Sequence, residues 1–513
     1  MQTNVLSYLE ATYPRCPDKI AYSDGTDALT FREVYSYSRA VGSYIAGRGV
    51  YGEPVAVLTK KHPRAIPCFF GAVYAGCSYV PVDMEMPRVR IAMILDNITP
   101  SIIICDEDTE SAAREMADER GITAVLAEEI FKTPEDESAL RKIRERQLDT
   151  DPIYIVFTSG STGVPKGVAA CHRSVIDYIE NLSAALHFDG DSVFGNQAPL
   201  YFDACLKELY PTIKFGATAY LIPKTNFMFP TSLVAYLNEH KINTVCWVVS
   251  ALTMISSTGT FDTVKPQYLK TVAFGSEVFP PSQLALWRKA LPDTEFYNLY
   301  GPTECTGMSC IYHVTDELAD EEVVPIGKPF PNTGILLYDF DAEGGASAVI
   351  YEEGKESECG EICIRGTPLT LGYYNDFVQT DRAFVQNPAN THYYEKIYRT
   401  GDIGRYNSRG ELVFVSRRDH QIKHMGHRIE LGELEYTIAG CPGVTNDCAV
   451  YDKNKSKIVL FYTGDAERAG ITAFLKERLP RYMLPNTIIK LDDMPLTPNG
   501  KRDRVALASR LST

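Results

Sequence analysis

Residues 151–168 read DPIYIVFTSGSTGVPKGV. The first seven are apolar and β-prone after Asp151 and Pro152, which predicts a buried strand. The strand runs into a loop of hydroxyls and glycines: Thr158, Ser159, Gly160, Ser161, Thr162 and Gly163, followed by Pro165, Lys166 and Gly167. Such a loop suits a polyphosphate. Glycines let backbone N–H groups approach an anion, hydroxyls donate further hydrogen bonds, and Lys166 adds charge. It is not the Walker A pattern, because Lys166 follows a proline and precedes a glycine.

Outward from this stretch, β-prone runs alternate with helical patterns through the first 400 residues. Strands are predicted over 53–59, 100–106, 153–159, 243–249 and 269–275, with helices over 31–47 and 280–291. The alternation predicts an α/β fold: a large N-terminal domain of layered, largely parallel sheets. GILLYDF (334–340) and GEICIRG (360–366) predict an added β subdomain. The run AIPCFFGAVYAGCSYVPV (65–82) is uncharged, but Pro67, Gly71, Gly76 and Pro81 break it. It reads as a buried helix and a strand rather than a membrane span. The charge-dense segment 416–435 reads, from its residues alone, as a solvated linker. Beyond it, CAVYDK (448–453), IVLFYTG (458–464) and GITAFLKERL (470–479) form a small α+β unit. The predicted domains are therefore 1–418 and 419–513.

At 513 residues the chain exceeds one ordinary domain. Its 66 acidic and 51 basic residues give a formal charge of −15, which argues against non-specific binding to nucleic acid or anionic lipid. Thirteen cysteines contain no CxxC pair, so no zinc framework is read, and reduced thiols in a cytoplasm are expected. No signal peptide is visible at the N-terminus. Asp191-Ser192-Val193 superficially resembles a carrier-protein serine site. Its place between the phosphate-type loop and YFDA (201–204) argues against a covalent phosphopantetheine there.

Eight further segments accompany the loop: VYAGCSYVPVD (73–83), YFDA (201–204), NLYGPTE (298–304), GEICIRG (360–366), YRTGDIGR (398–405), SRRDHQIKHMGHRIELGELE (416–435), LPRYMLP (479–485) and PLTPNGKRDR (495–504). In content and order they resemble the core motifs of the adenylate-forming enzymes. The similarity is to nonribosomal peptide synthetase adenylation domains and to stand-alone D-alanine–carrier protein ligases. That resemblance implies two half-reactions. A carboxylate attacks the α-phosphorus of ATP to give an acyl adenylate and pyrophosphate, and a carrier-protein thiol then takes the acyl group and releases AMP. Catalysis would rest on positioning and charge neutralisation.

The resemblance assigns roles residue by residue. Lys501 would bridge the substrate carboxylate and α-phosphoryl group, where a cation stabilises developing charge. Lys423 would be the lysine presented by the small domain for thioester formation. Thr303 would contact phosphate, and Glu304 would hold Mg²⁺, a cation that takes one or two carboxylates plus phosphate and water. Tyr300 would stack near adenine. Asp402 would accept both ribose hydroxyls, and Arg417 would make a second ribose or hinge contact; Ser416 replaces the glycine usual before it. Asp419 matches the hinge about which a mobile C-terminal domain rotates.

Asp203 would pair with the α-ammonium of an amino acid, a charge-assisted contact that selects substrate class; as a residue alone, it also fits a turn aspartate capping the next helix. The remaining pocket would comprise Ala204, Lys207, Trp247, Val272, Phe274, Leu299, Gly307 and Met308. Lys207 is open to three readings: a carboxylate on the substrate, a protein acid such as Glu208, or snorkelling to solvent. The expected cofactors are ATP and Mg²⁺. The expected partners are an amino acid and a separate carrier protein, since the sequence ends 12 residues after Lys501, and the expected state is a monomer. The competing readings are an acyl- or aryl-CoA ligase, which Asp203 opposes, and a silent nucleotide sensor, which Lys166, Glu304, Asp402 and Lys501 oppose.

Overall fold

The computed structural model describes residues 2–160, 163–315, 323–340, 345–418, 421–453, 455–496 and 502–511. The chain divides into two compact units. One comprises residues 1–82, 98–156 and 168–418, and the other 83–97, 157–167 and 419–513. The second unit thus takes in the phosphate-type loop and most of the helix Arg88–Ile98, in addition to the C-terminal residues.

The fold class is α/β. A nine-stranded sheet carries Val193–Asn196, Thr244–Val248, Thr271–Gly275 and Glu295–Tyr300 as parallel neighbours. A seven-stranded sheet carries Pro54–Leu58, Ser78–Val82, Ile102–Cys105 and Pro152–Thr158. Their residues are buried on both faces, which is why they read as continuous apolar runs rather than alternating ones. Phe31–Gly47 is a helix as expected. A full capping box starts it: Thr30 accepts from the Glu33 amide while the Glu33 carboxylate accepts from the Thr30 amide. The run 65–82 resolves into the buried helix Ala65–Tyr74 and the strand Ser78–Val82. Among the described residues no helix is long and apolar enough to cross a membrane. A six-stranded antiparallel sheet, built on Thr333–Phe340, Gly360–Gly366 and Lys396–Tyr406, forms the β subdomain.

In the second unit Val444–Asp452, Lys457–Gly464 and Thr487–Lys490 make a three-stranded sheet, packed with the helices Leu431–Ala439 and Arg468–Lys476. Here the structure corrects the solvated-linker reading of 416–435. Gln421–His424 and His427–Glu430 pair as a hairpin around Met425 and Gly426, both at positive φ, the geometry of a two-residue primed turn. Glu430, Glu433 and Glu435 of this segment are buried with partners. Gln421 donates to Glu430 (2.6 Å), Arg90 pairs with Glu433, and Arg504 donates to Glu435 (2.5 Å). Charge density alone does not reveal such pairing.

Candidate active site

In the second unit, the strand Pro152–Thr158 delivers the phosphate-type loop. A Cβ on Gly160 would lie 2.1 Å from the Val164 carbonyl oxygen, so only glycine fits this close backbone approach. The Gly160 amide donates to a Glu433 carboxylate oxygen (3.2 Å), and the Ser159 hydroxyl donates to the Arg428 carbonyl (2.9 Å). The loop therefore already holds an anion of its own chain. Burial pushes the Glu433 carboxyl up, and the adjacent Arg90 opposes that shift. The Thr158 hydroxyl is buried with no partner among the described residues, a donor aimed at no acceptor. An orphaned hydroxyl beside a glycine-lined amide cradle fits a phosphate group. Gly163 and Lys166 lie in the same segment, while Ser161 and Thr162 lie outside the described residues. Lys423 sits on the hairpin opposite Arg428. Asp419 and Lys501 lie outside the described residues. The segment just after Lys501 is well anchored: Arg502 bridges Leu496 and holds Asp447 at 3.0 Å. Burial, opposed by Arg502, pushes the Asp447 carboxyl up to about 6.

In the first unit, Asp402 stands at the centre of a buried triad. Tyr300 donates its hydroxyl to Oδ2 (2.6 Å), and Arg417 donates to Oδ1 (2.5 Å) and to the Thr400 carbonyl (3.1 Å). Each carboxylate oxygen keeps a second lone pair, so the carboxylate is fixed in place and can still accept further bonds. The neighbouring carboxylate and burial push the Tyr300 hydroxyl far above its ordinary range, so it remains a donor.

The strand Glu295–Tyr300 ends at Gly301, where a Cβ would meet the Gly307 carbonyl oxygen at 2.2 Å. This approach folds 301–309 into a tight loop that buries Glu304. Tyr373 donates to its Oε1 (2.7 Å), and Thr370 donates to its backbone carbonyl through both amide and hydroxyl. Glu304 and Thr303 face the turn Asp203–Cys205. The Thr303 side chain lies close to the Asp203 carboxylate. Burial pushes that carboxyl up and the Glu304 charge adds to the rise, while Thr303 and Lys207 hold it down. Asp203 makes no cap hydrogen bond to its own turn or to the helix Leu206–Phe215. Among the described residues no cluster of three or more His, Cys, Asp or Glu could hold a metal. Glu304 fits a cation that draws its other ligands from phosphate and water.

The side-chain pocket divides between two layers. In the parallel register Trp247 pairs Phe274 and Gly275 pairs Leu299. Partners share a face and successive residues alternate, so Leu299 lies opposite Trp247, Val272 and Phe274. The packing agrees. Trp247, Val272 and Phe274 belong to a core with Leu252, Phe279 and Trp287, and the Trp247 indole donates to the Gly195 carbonyl (2.7 Å). Leu299, Met308 and Ala204 belong to the other core, with Tyr178, Cys246 and Ala273. Ala204 and Cys205 beside Asp203, and Leu206 beside Lys207, pack in this second core. Gly307, at φ +96°, stands against the Tyr178 ring. Tyr178, Cys246 and Ala273 pack in the same core as Leu299, Met308 and Ala204, neighbours that a strand register exposes and the sequence alone does not. Lys207 is 5% exposed, so it does not snorkel, and among the described residues it has no ion pair or hydrogen bond. Ser192 is a turn residue: its hydroxyl accepts from the Asp189 amide (3.0 Å).

Comparison with known proteins follows the same residues. A family model for the AMP-binding enzymes matches residues 9–374, and the model for their C-terminal domain matches residues 433–501. An L-proline–[L-prolyl-carrier protein] ligase from Streptomyces coelicolor is 31% identical, covering 93% of this chain and 91% of the ligase. Tyrocidine synthase 1 from Brevibacillus parabrevis is 29% identical over 96% of this chain, which spans only 43% of that protein. Among solved structures, the Vibrio cholerae adenylation domain AlmE in complex with glycyl-adenosine-5′-phosphate superposes with a TM-score of 0.83, covering 100% of this chain and 98% of AlmE. At 20% identity it shows a shared fold alone. A match of this extent, with a proline–carrier protein ligase 31% identical over nearly the whole length, settles the family: the chain is an AMP-binding enzyme.

Proposed function

We propose that the protein activates an amino acid as its aminoacyl adenylate, with release of pyrophosphate, and transfers it to the phosphopantetheine thiol of a carrier protein. The observation that carries this reading is Asp203: a half-buried carboxylate close to Thr303 and Glu304 that caps no helix. An α-ammonium is the partner that would justify its burial. The names of the relatives support the same chemistry, since one is an amino acid–carrier protein ligase.

ATP is the nucleotide of this reading. The amide cradle around Gly160 and the hydroxyl of Thr158 would take phosphate oxygens, and Asp402, set by Tyr300 and Arg417, would take ribose hydroxyls. Mg²⁺ bound at Glu304 would neutralise phosphate charge. Lys501 would stabilise the charge that builds between the attacking carboxylate and the α-phosphoryl group. Lys423 would serve the thioester half-reaction, with Asp419 as the pivot of a mobile domain 419–513.

The test is loading of a phosphopantetheinylated carrier protein, read by intact mass, with amino, aryl and fatty acids offered in parallel. Amino acids should load and the others should not. Asp419→Pro removes an N–H and fixes φ, so adenylate formation should persist while loading falls. Equal loss of both steps in a folded variant would contradict the pivot.

A further inference from the structure

One buried ionic group outside the assigned site leads directly into it. Lys61 follows the strand Pro54–Leu58 and turns its ammonium onto three backbone carbonyls, those of Asn196 (3.0 Å), Gln197 (3.1 Å) and Ile222 (3.2 Å). Three acceptors use all three ammonium protons. The carbonyls stand at the carboxyl ends of two paired parallel strands, Val193–Asn196 and Thr218–Leu221. Ligands of open parallel sheets bind at such ends, and buried carbonyls there require donors.

The same group reaches the amino-acid site by two routes. Along the chain, Gln197 begins the loop that arrives at Asp203 six residues later. Through space, the Asn196 side chain donates to Glu208 Oε2 (3.1 Å) in the first turn of the helix Leu206–Phe215, next to Lys207. Asn196 and Glu208 are fully buried. Burial pushes Glu208 up to about 7 and Lys61 down to about 7, and each charge moderates the other's shift.

We propose that Lys61 is a positioning residue for the amino-acid site: its ammonium pins the two strand ends and, through Asn196 and Glu208, sets the turn that carries Asp203 and Lys207. Lys61 touches no substrate in this account. It fixes where the anchor for the α-ammonium stands relative to Thr303 and Glu304. The inference rests on the aminoacyl-adenylating reading. The triad of Tyr300, Asp402 and Arg417 forms no part of this group, so nucleotide binding should not depend on it.

Lys61→Met keeps the stem and removes the three donors. The measurement is ATP–pyrophosphate exchange, using whichever amino acid the wild type exchanges fastest among the proteinogenic set and D-alanine, alongside thermal unfolding. A misplacement of about 1 Å costs on the order of 10² in rate, so the KM for that amino acid should rise by about tenfold or more. The KM for ATP should stay within about twofold. Lys61→Arg, which retains charge and donors, should recover part of the loss. If Lys61→Met does not fold, Asn196→Ala decides, because it cuts the link to Glu208 and leaves the strand clamp in place; the same selective rise is expected. An unchanged amino-acid KM, or a parallel rise in both KM values, overturns the proposal. Absence of exchange with every amino acid in the wild type would instead overturn the function on which it rests.

Discussion

Two aspartates of the first unit, Asp402 buried and Asp203 half-buried, meet opposite fates. Asp402 is held on both oxygens, by Tyr300 on one and Arg417 on the other. Asp203 is pushed up by burial, with a second acid nearby in Glu304, and only Thr303, the Ala204 backbone and the uncommitted Lys207 oppose the rise. A carboxylate that the protein satisfies itself is a fixed acceptor, ready for neutral hydroxyls. One left short of positive charge is a site for a cation. On the proposed reading, the difference would separate a ribose site at Asp402 from an ammonium site at Asp203.

The comparison breaks most sharply under exchange of roles. Asp203→Ala should raise the amino-acid KM, with a loss on the order of 3–5 kcal/mol for one side of a buried charge pair, and leave the KM for ATP nearly unchanged. Asp402→Ala should do the reverse. Steady-state exchange kinetics with each substrate varied in turn decides it, and a common effect of both variants on both KM values would erase the distinction.

A smaller effect concerns Lys207, buried on the Asp203 side and without an ion pair among the described residues. If it meets the substrate side chain, Lys207→Met should cost about 1.5–3 kcal/mol toward the preferred amino acid and move the preference toward apolar ones. An unchanged ranking in an exchange panel would remove Lys207 from specificity.

The mildest test is pH. A raised carboxyl is charged only above its shifted value, so kcat/KM for the amino acid should be full at higher pH and fall as pH drops through that value. The fall is about tenfold per pH unit below it. The limb should lie above the ordinary aspartate range of about 3.9. Lys207→Met should move it higher still, because Lys207 holds the Asp203 carboxyl down. A limb that stays put in that variant would contradict the proximity of the two groups.

The elements themselves were legible where one signal dominated. Phe31–Gly47 has its capping box in the letters Thr30 and Glu33, and Pro152–Thr158 is apolar enough to be buried on both faces. The expectation for Asp203 comes from its motif. What the letters hide is pairing across distance. The segment 416–435 looks solvated until Glu433 and Glu435 are seen paired with Arg90 and Arg504. The pocket wall depends on a strand register, and a shift of one residue moves a side chain to the other face. That is why Cys246 and Ala273 escaped notice while Trp247 and Phe274 were named. Lys61 carries no motif at all; its role comes from three carbonyls contributed by two other strand ends.

The central claim is that Asp203 selects an α-ammonium. It is met most directly by ATP–pyrophosphate exchange on matched pairs of acids, each amino acid against the same acid lacking the α-amino group. The account predicts exchange with at least one amino acid and loss of that exchange for its deaminated partner, with the gap closing in Asp203→Ala. Equal exchange by both members of the pair in the wild-type protein would contradict it.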